Sequence, residues 1–122
     1  KLTGNAIRVP TPNVSLAVLV LNLKQEVTKD ELNDFLKNSA FSSKYRQIIG
    51  YTNSPEAVST DFYSSPFATI VDSQATIAEG NQVTLYCWYD NEFGYSKQVL
   101  NLTKKVAKIE LPRFPKAIDP SV

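Results

Sequence analysis

Residues 14–23, VSLAVLVLNL, are apolar at almost every position, broken only by Ser15 and Asn22. A strand with one face in water alternates apolar and polar residues. A strand apolar at both parities has to be covered on both faces. Pro12 just before the run and its valines favour strand over helix. The run therefore predicts a strand covered on both faces and flanked by other elements.

The rest of the chain supplies such elements. Thr28 and Glu31 form a T-x-x-E capping box, with Val27 and Leu32 at the positions of a hydrophobic staple. Leu32, Phe35, Leu36 and Ala40 follow at helical spacing, which predicts a helix over residues 29–40. Residues 82–89 alternate: Val83, Leu85, Cys87 and Tyr89 point one way, and Thr84, Tyr86 and Trp88 the other. After Asp90 the period changes. Tyr95, Val99, Leu102, Val106 and Ile109 recur at steps of three and four, predicting a helix from 91 or 92 to 107. Asp90 and Glu92 at its start and Lys104, Lys105 and Lys108 at its end complement the helix dipole. Shorter β-prone stretches lie at 6–9, 47–51, 67–71 and 75–78, with a turn at 79–81. These elements predict an α+β fold, a mixed or antiparallel sheet with helices packed on one face, over residues 1–110. Pro112, Pro115 and Pro120 mark 111–122 as an extended, proline-rich tail.

Several classes of chemistry are excluded by composition. Thirteen basic and twelve acidic residues leave a net charge of +1, with no basic patch to draw nucleic acid or a membrane surface. The longest apolar run falls far short of the roughly 20 residues that cross a bilayer. The lone cysteine, Cys87, permits neither an internal disulfide nor a thiolate metal cage. With no signal peptide visible, it points to the cytoplasm. Asn13-Val14-Ser15 and Asn101-Leu102-Thr103 match the glycosylation triplet by composition only. Histidine is absent, so no imidazole can serve as base or metal ligand. The four glycines at 4, 50, 80 and 94 are too scattered for a dinucleotide or phosphate loop. Mid-strand, Cys87 has no base beside it and reads as a small hydrophobe rather than a nucleophile. Methionine is also absent and the chain starts at Lys1, which predicts a piece of a longer polypeptide. Asp30/Glu31 and Asp90/Glu92 read as helix caps.

Two segments stand apart from generic packing. Arg8-Val9-Pro10-Thr11-Pro12-Asn13 sets an arginine on a proline-stiffened backbone. It is either a surface charge or a fixed guanidinium able to hold an anion through its planar fork. Trp88-Tyr89-Asp90-Asn91-Glu92-Phe93-Gly94-Tyr95 places four aromatics around a polar strand-to-helix corner. It is either an aromatic core beside a capped helix or the edge of a site.

Taken together, Lys1-Leu2-Thr3-Gly4, Arg8–Ser15 and Trp88–Ser96 resemble the glyceraldehyde-3-phosphate dehydrogenase family, in its order and approximate spacing. The resemblance covers residues 1 to about 109 and implies the C-terminal part of the catalytic domain. In that family an aldehyde phosphate is oxidised with NAD or NADP and trapped by inorganic phosphate as an acyl phosphate. A cysteine attacks the aldehyde, a histidine moves the proton, and the hydride passes to the nicotinamide. The resemblance implies that Arg8 grips a phosphate on the substrate side. It implies that Asn91 hydrogen-bonds the nicotinamide carboxamide, and that Tyr95 lies beside that ring with Tyr89 nearer the catalytic centre. It also implies a cytoplasmic, glycolytic homotetramer built on the sheet face. The family's nucleophile, histidine and cofactor domain lie upstream of the matched motifs, so the chain alone is expected to be inactive. Erythrose-4-phosphate oxidation is the alternative within this chemistry, and a stand-alone binding or oligomerisation module the alternative outside it.

Overall fold

The structure, a computed structural model, describes residues 2–42 and 44–109. The predicted tail at 111–122 lies outside the described residues. In chain order the elements are β1 (Ser15–Asn22), α1 (Lys29–Ser42), β2 (Ile49–Thr52), a 3₁₀ turn (Ser59–Phe62), β3 (Thr69–Asp72), β4 (Ile77–Glu79), β5 (Gln82–Tyr89) and α2 (Phe93–Val106). The fold is α+β with a mixed sheet. The stretch at 6–9 is irregular rather than a strand. Pro10 and Pro12 follow it immediately, and neither has an N–H for a ladder.

β5 is the organising strand. Along one edge it pairs antiparallel with β1 over its whole length, from Ser15↔Tyr89 to Asn22↔Gln82. Its other edge is shared by β3, paired at Trp88 and Cys87, and β4, paired at Gln82–Thr84. β2 lies outside β3 and runs parallel to it. A parallel neighbour needs a long crossover, and the connection carrying the 3₁₀ turn supplies it. β4 and β5 are joined by a tight turn at Gly80-Asn81. Gly80 sits at φ +58°, the sign a II′ turn requires at its first central residue.

The alternation in β5 divides the core between the two faces. Val71, Leu85 and Cys87 form one cluster, against which Leu32 and Leu36 of α1 pack together with Ile49 and Tyr51. Each side chain buried there contributes about 1.5–3 kcal/mol. On the opposite face Val14, Phe62 and Ile70 gather with Phe67 and Trp88, and the Phe62 and Trp88 rings stack at 5.5 Å. The predicted capping box is formed: Thr28 Oγ1 accepts the Glu31 N–H at 3.2 Å, and the Glu31 carboxylate accepts the Thr28 N–H at 2.9 Å. The Thr28 N–H, and after it the Thr28 hydroxyl donating at 2.8 Å, hold the Glu31 carboxyl below its usual value. α2 closes with a Schellman arrangement. Lys108, at φ +55°, donates its N–H to the Lys105 carbonyl, and Ile109 donates to Lys104.

Two expectations about coverage are corrected. β1 is an edge strand, and Val18 and Val20 are 50% and 61% exposed. α1 covers the sheet over β2, β3 and β5, and nothing among the described residues lies over the middle of β1. Phe35 is likewise exposed, because Leu32 and Leu36 point at the sheet from one line of the helix and Phe35 sits on its flank. The stripe on α2 that fixes its helical period is exposed from Tyr95 to Ile109. No helix among the described residues is long and apolar enough to cross a membrane.

Candidate functional site

Between the end of β5 and the first turn of α2 stands Asp90, 3% exposed. A helix start leaves backbone N–H groups without partners inside the helix. Asp90 Oδ1 accepts two here, from Phe93 at 2.7 Å and Glu92 at 2.9 Å. Its other oxygen accepts Asn13 Nδ2 at 2.8 Å and the Ser64 N–H at 2.9 Å. The carboxylate is therefore solvated by the protein, with no ion pair to it among the described residues. These donors hold its carboxyl below the ordinary value, the Phe93 N–H contributing most, while burial opposes them.

The segments that reach Asp90 are bent to do so. Asn13 Oδ1 accepts the N–H of Val14 at 2.7 Å while its amide nitrogen holds Asp90. Val14, buried and β-branched, takes φ +70°, and Ser64 takes φ +58°. Positive φ at residues with a Cβ costs on the order of 1–3 kcal/mol each and persists only where surrounding contacts fix it. Both strained residues flank groups that bind this one carboxylate.

One residue further along, the hydroxyl of Ser15 donates to Asn91 Oδ1. Ser15 is the first residue of β1 and lies opposite Tyr89 in the ladder. Asn91 itself is exposed. Tyr95, in the first turn of α2, is 73% exposed, and Tyr89 is partly exposed at the end of β5. Arg8 is exposed on the irregular stretch leading to β1, with no hydrogen bond or ion pair to another described residue. Five Cα–Cα steps join it to Asn13, so its Cα lies within about 18 Å of that anchor. The structure thus brings Asn91 and Tyr95 to one corner and tethers the arginine-bearing segment there, without seating Arg8 against either.

The corner is braced from behind. Gly94 is buried against the Phe67 carbonyl, where an added Cβ would come within 2.4 Å of the oxygen. Gln98 Nε2 donates to the carbonyls of Gln47 and Pro66, at 3.2 and 3.0 Å. An open cleft of about 330 Å³ is lined by Asn13, Ser64, Asp90, Glu92, Phe93 and Ser96. Among the described residues no group of three carboxylate or thiol side chains could hold a metal ion. Cys87 is buried on the α1 face, where burial pushes its thiol up, opposite to what a nucleophile needs. The arrangement can present an amide and an aromatic ring to a flat polar ligand.

Sequence reasoning gave Asp90 only a capping role and passed over Ser15. An aspartate two and three residues before a helix start carries the first signal. The bond from Ser15 spans 76 positions and leaves no local trace.

Comparison with known proteins places the chain in a family. The profile of the glyceraldehyde 3-phosphate dehydrogenase C-terminal domain matches residues 1–91. The chain is 52% identical over 116 residues to a glyceraldehyde-3-phosphate dehydrogenase-like protein of Pseudomonas aeruginosa, covering 95% of this chain and 25% of that protein. It is 44% identical over 108 residues to glyceraldehyde-3-phosphate dehydrogenase 2 of Bacillus subtilis, covering 88% of this chain and 31% of the relative. With glyceraldehyde-3-phosphate dehydrogenase 1 of the same organism the identity is 45% over 109 residues. The chain spans between a quarter and a third of the length of these relatives.

Proposed function

The chain belongs to the glyceraldehyde-3-phosphate dehydrogenase family, whose C-terminal domain it carries, and on that footing we propose that it works as part of a phosphorylating aldehyde dehydrogenase. The reaction takes glyceraldehyde 3-phosphate, inorganic phosphate and NAD or NADP to an acyl phosphate and the reduced cofactor. The observation that carries this reading is the joining of two distant motifs. Asn13 and Ser15, beside Arg8, are hydrogen-bonded to Asp90 and Asn91 at the start of α2.

The residues at the corner fit a nicotinamide. Asn91 is exposed and its amide oxygen is already engaged by Ser15, so the amide nitrogen is left to donate to a carboxamide oxygen. Tyr95 offers an exposed ring beside it. Bound there, the nicotinamide would supply the hydride acceptor. Arg8 binds a phosphate group of the substrate side through charge-assisted hydrogen bonds, each contributing about 1.5–3 kcal/mol. Nucleophile, base and the dinucleotide-binding fold are supplied by parts of the protein other than these 122 residues, which contain no histidine. The working protein is a cytoplasmic homotetramer associating through the exposed sheet face around β1.

Steady-state kinetics test the assignment. The isolated chain should form no reduced cofactor from aldehyde phosphate, phosphate and NAD, and clear turnover would refute it. In the full-length protein Arg8→Ala should lower kcat/KM for phosphate and aldehyde by roughly 10-fold or more, the loss of one charge-assisted bond, with cofactor affinity unchanged. A change confined to cofactor affinity would remove the phosphate role. Preference for erythrose 4-phosphate over the three-carbon aldehyde would shift the assignment to that sister reaction.

A further inference from the structure

We infer that Ser15 is a positioning residue for the nicotinamide, acting through Asn91. The inference rests on the reading of Asn91 given above and adds a residue to it. The two ends of an asparagine amide are nearly identical in shape and opposite in polarity. An exposed asparagine can therefore present a donor or an acceptor by a half-turn about one bond. A residue meant to hold one face of a carboxamide needs that ambiguity removed.

In the structure the Ser15 hydroxyl donates to Asn91 Oδ1, which holds the amide in one of its two orientations. With the oxygen occupied, the Nδ2 hydrogens are the end left facing solvent. The backbone that carries the hydroxyl is held from three directions. Ser15 is fixed in the ladder opposite Tyr89. The residue before it, Val14, is locked at φ +70° by the Asn13 side chain. Asn13 in turn is tied to Asp90, the residue preceding Asn91. Donor and acceptor thus sit on two segments already joined one residue away, so the bond needs little further ordering to form. Tyr95, also exposed at this corner, lies four residues beyond Asn91; among the described residues Ser15 is the partner that Asn91 Oδ1 takes.

The test is a double-mutant cycle in the full-length protein, read by calorimetric titration of NAD into the apo-protein and by steady-state kinetics. Ser15→Ala should raise the Kd for NAD and lower kcat/KM for NAD by about 3- to 10-fold, the range of one net hydrogen bond. Phosphate and aldehyde KM values and the melting temperature should stay unchanged. Ser15→Thr, which keeps the hydroxyl on a residue suited to a strand, should restore NAD binding to within about twofold. In an Asn91→Ala background, Ser15→Ala should cost nothing more, because the amide it orients is gone. If Asn91→Ala weakens NAD binding but Ser15→Ala does not, the positioning role is overturned and the reading of Asn91 stands. If Asn91→Ala itself leaves NAD binding intact, that reading falls first. If the two losses add in full, Ser15 acts elsewhere and the inference fails.

Discussion

Asp90 shows what one buried carboxylate does when all its partners are N–H groups. Two donors come from the start of α2 and two from segments far away in sequence, so the residue caps a helix and staples three stretches of chain at once. Asp90→Asn keeps the shape but turns an N–H₂ group toward at least one pair of those donors. The expected loss is about 1–3 kcal/mol in denaturant unfolding. The pH dependence follows from the direction of the shift. The folded carboxyl is held below its ordinary value of about 3.9. Its contribution to stability is therefore complete above that value and disappears as pH falls through the lower folded one. Wild-type stability should drop on acidification below about pH 4, and the Asn variant should show a flatter acid limb. An equal slope in both would show that Asp90 is not the titrating group.

At the scale of elements, the start of α2 depends on an absence. In most helices Gly→Ala stabilises by about 1 kcal/mol. At residue 94 the new methyl would meet the Phe67 carbonyl, a backbone atom that cannot swing aside. Gly94→Ala should destabilise by roughly 1–3 kcal/mol, seen as a lowered melting temperature, and it should disturb the corner that α2 begins. A stabilised variant would mean that the helix start is free to shift. The same element shows what was legible in the sequence. α1 announced itself through Thr28, Glu31 and the Leu32–Leu36 spacing, and β5 through its alternation, because caps and periods are local. The strand expected at 6–9 failed because β-propensity says nothing about whether a partner strand is present. The corner was legible only in part. Arg8, Asn91 and Tyr95 came from motif resemblance, whereas Ser15 and the full role of Asp90 depend on contacts across more than 70 positions.

For the molecule as a whole, the apolar run that demands cover finds only part of it within the described residues. If the working protein assembles through the sheet face, a charge on β1 should weaken assembly far from the corner. Val18→Glu in the full-length protein should shift sedimentation from tetramer toward smaller species while NAD still binds each protomer. An unchanged sedimentation coefficient would remove this face from the interface. Among the described residues β1 also has one neighbour in the sheet, β5, paired from Asn22↔Gln82 to Ser15↔Tyr89. A ribosome adding about 5–20 residues per second leaves β1 outside the tunnel for roughly 3–15 s before β5 follows it out. During that interval the most apolar segment of the chain has no ladder to join, so its vulnerability to misassociation is set by the clock of translation.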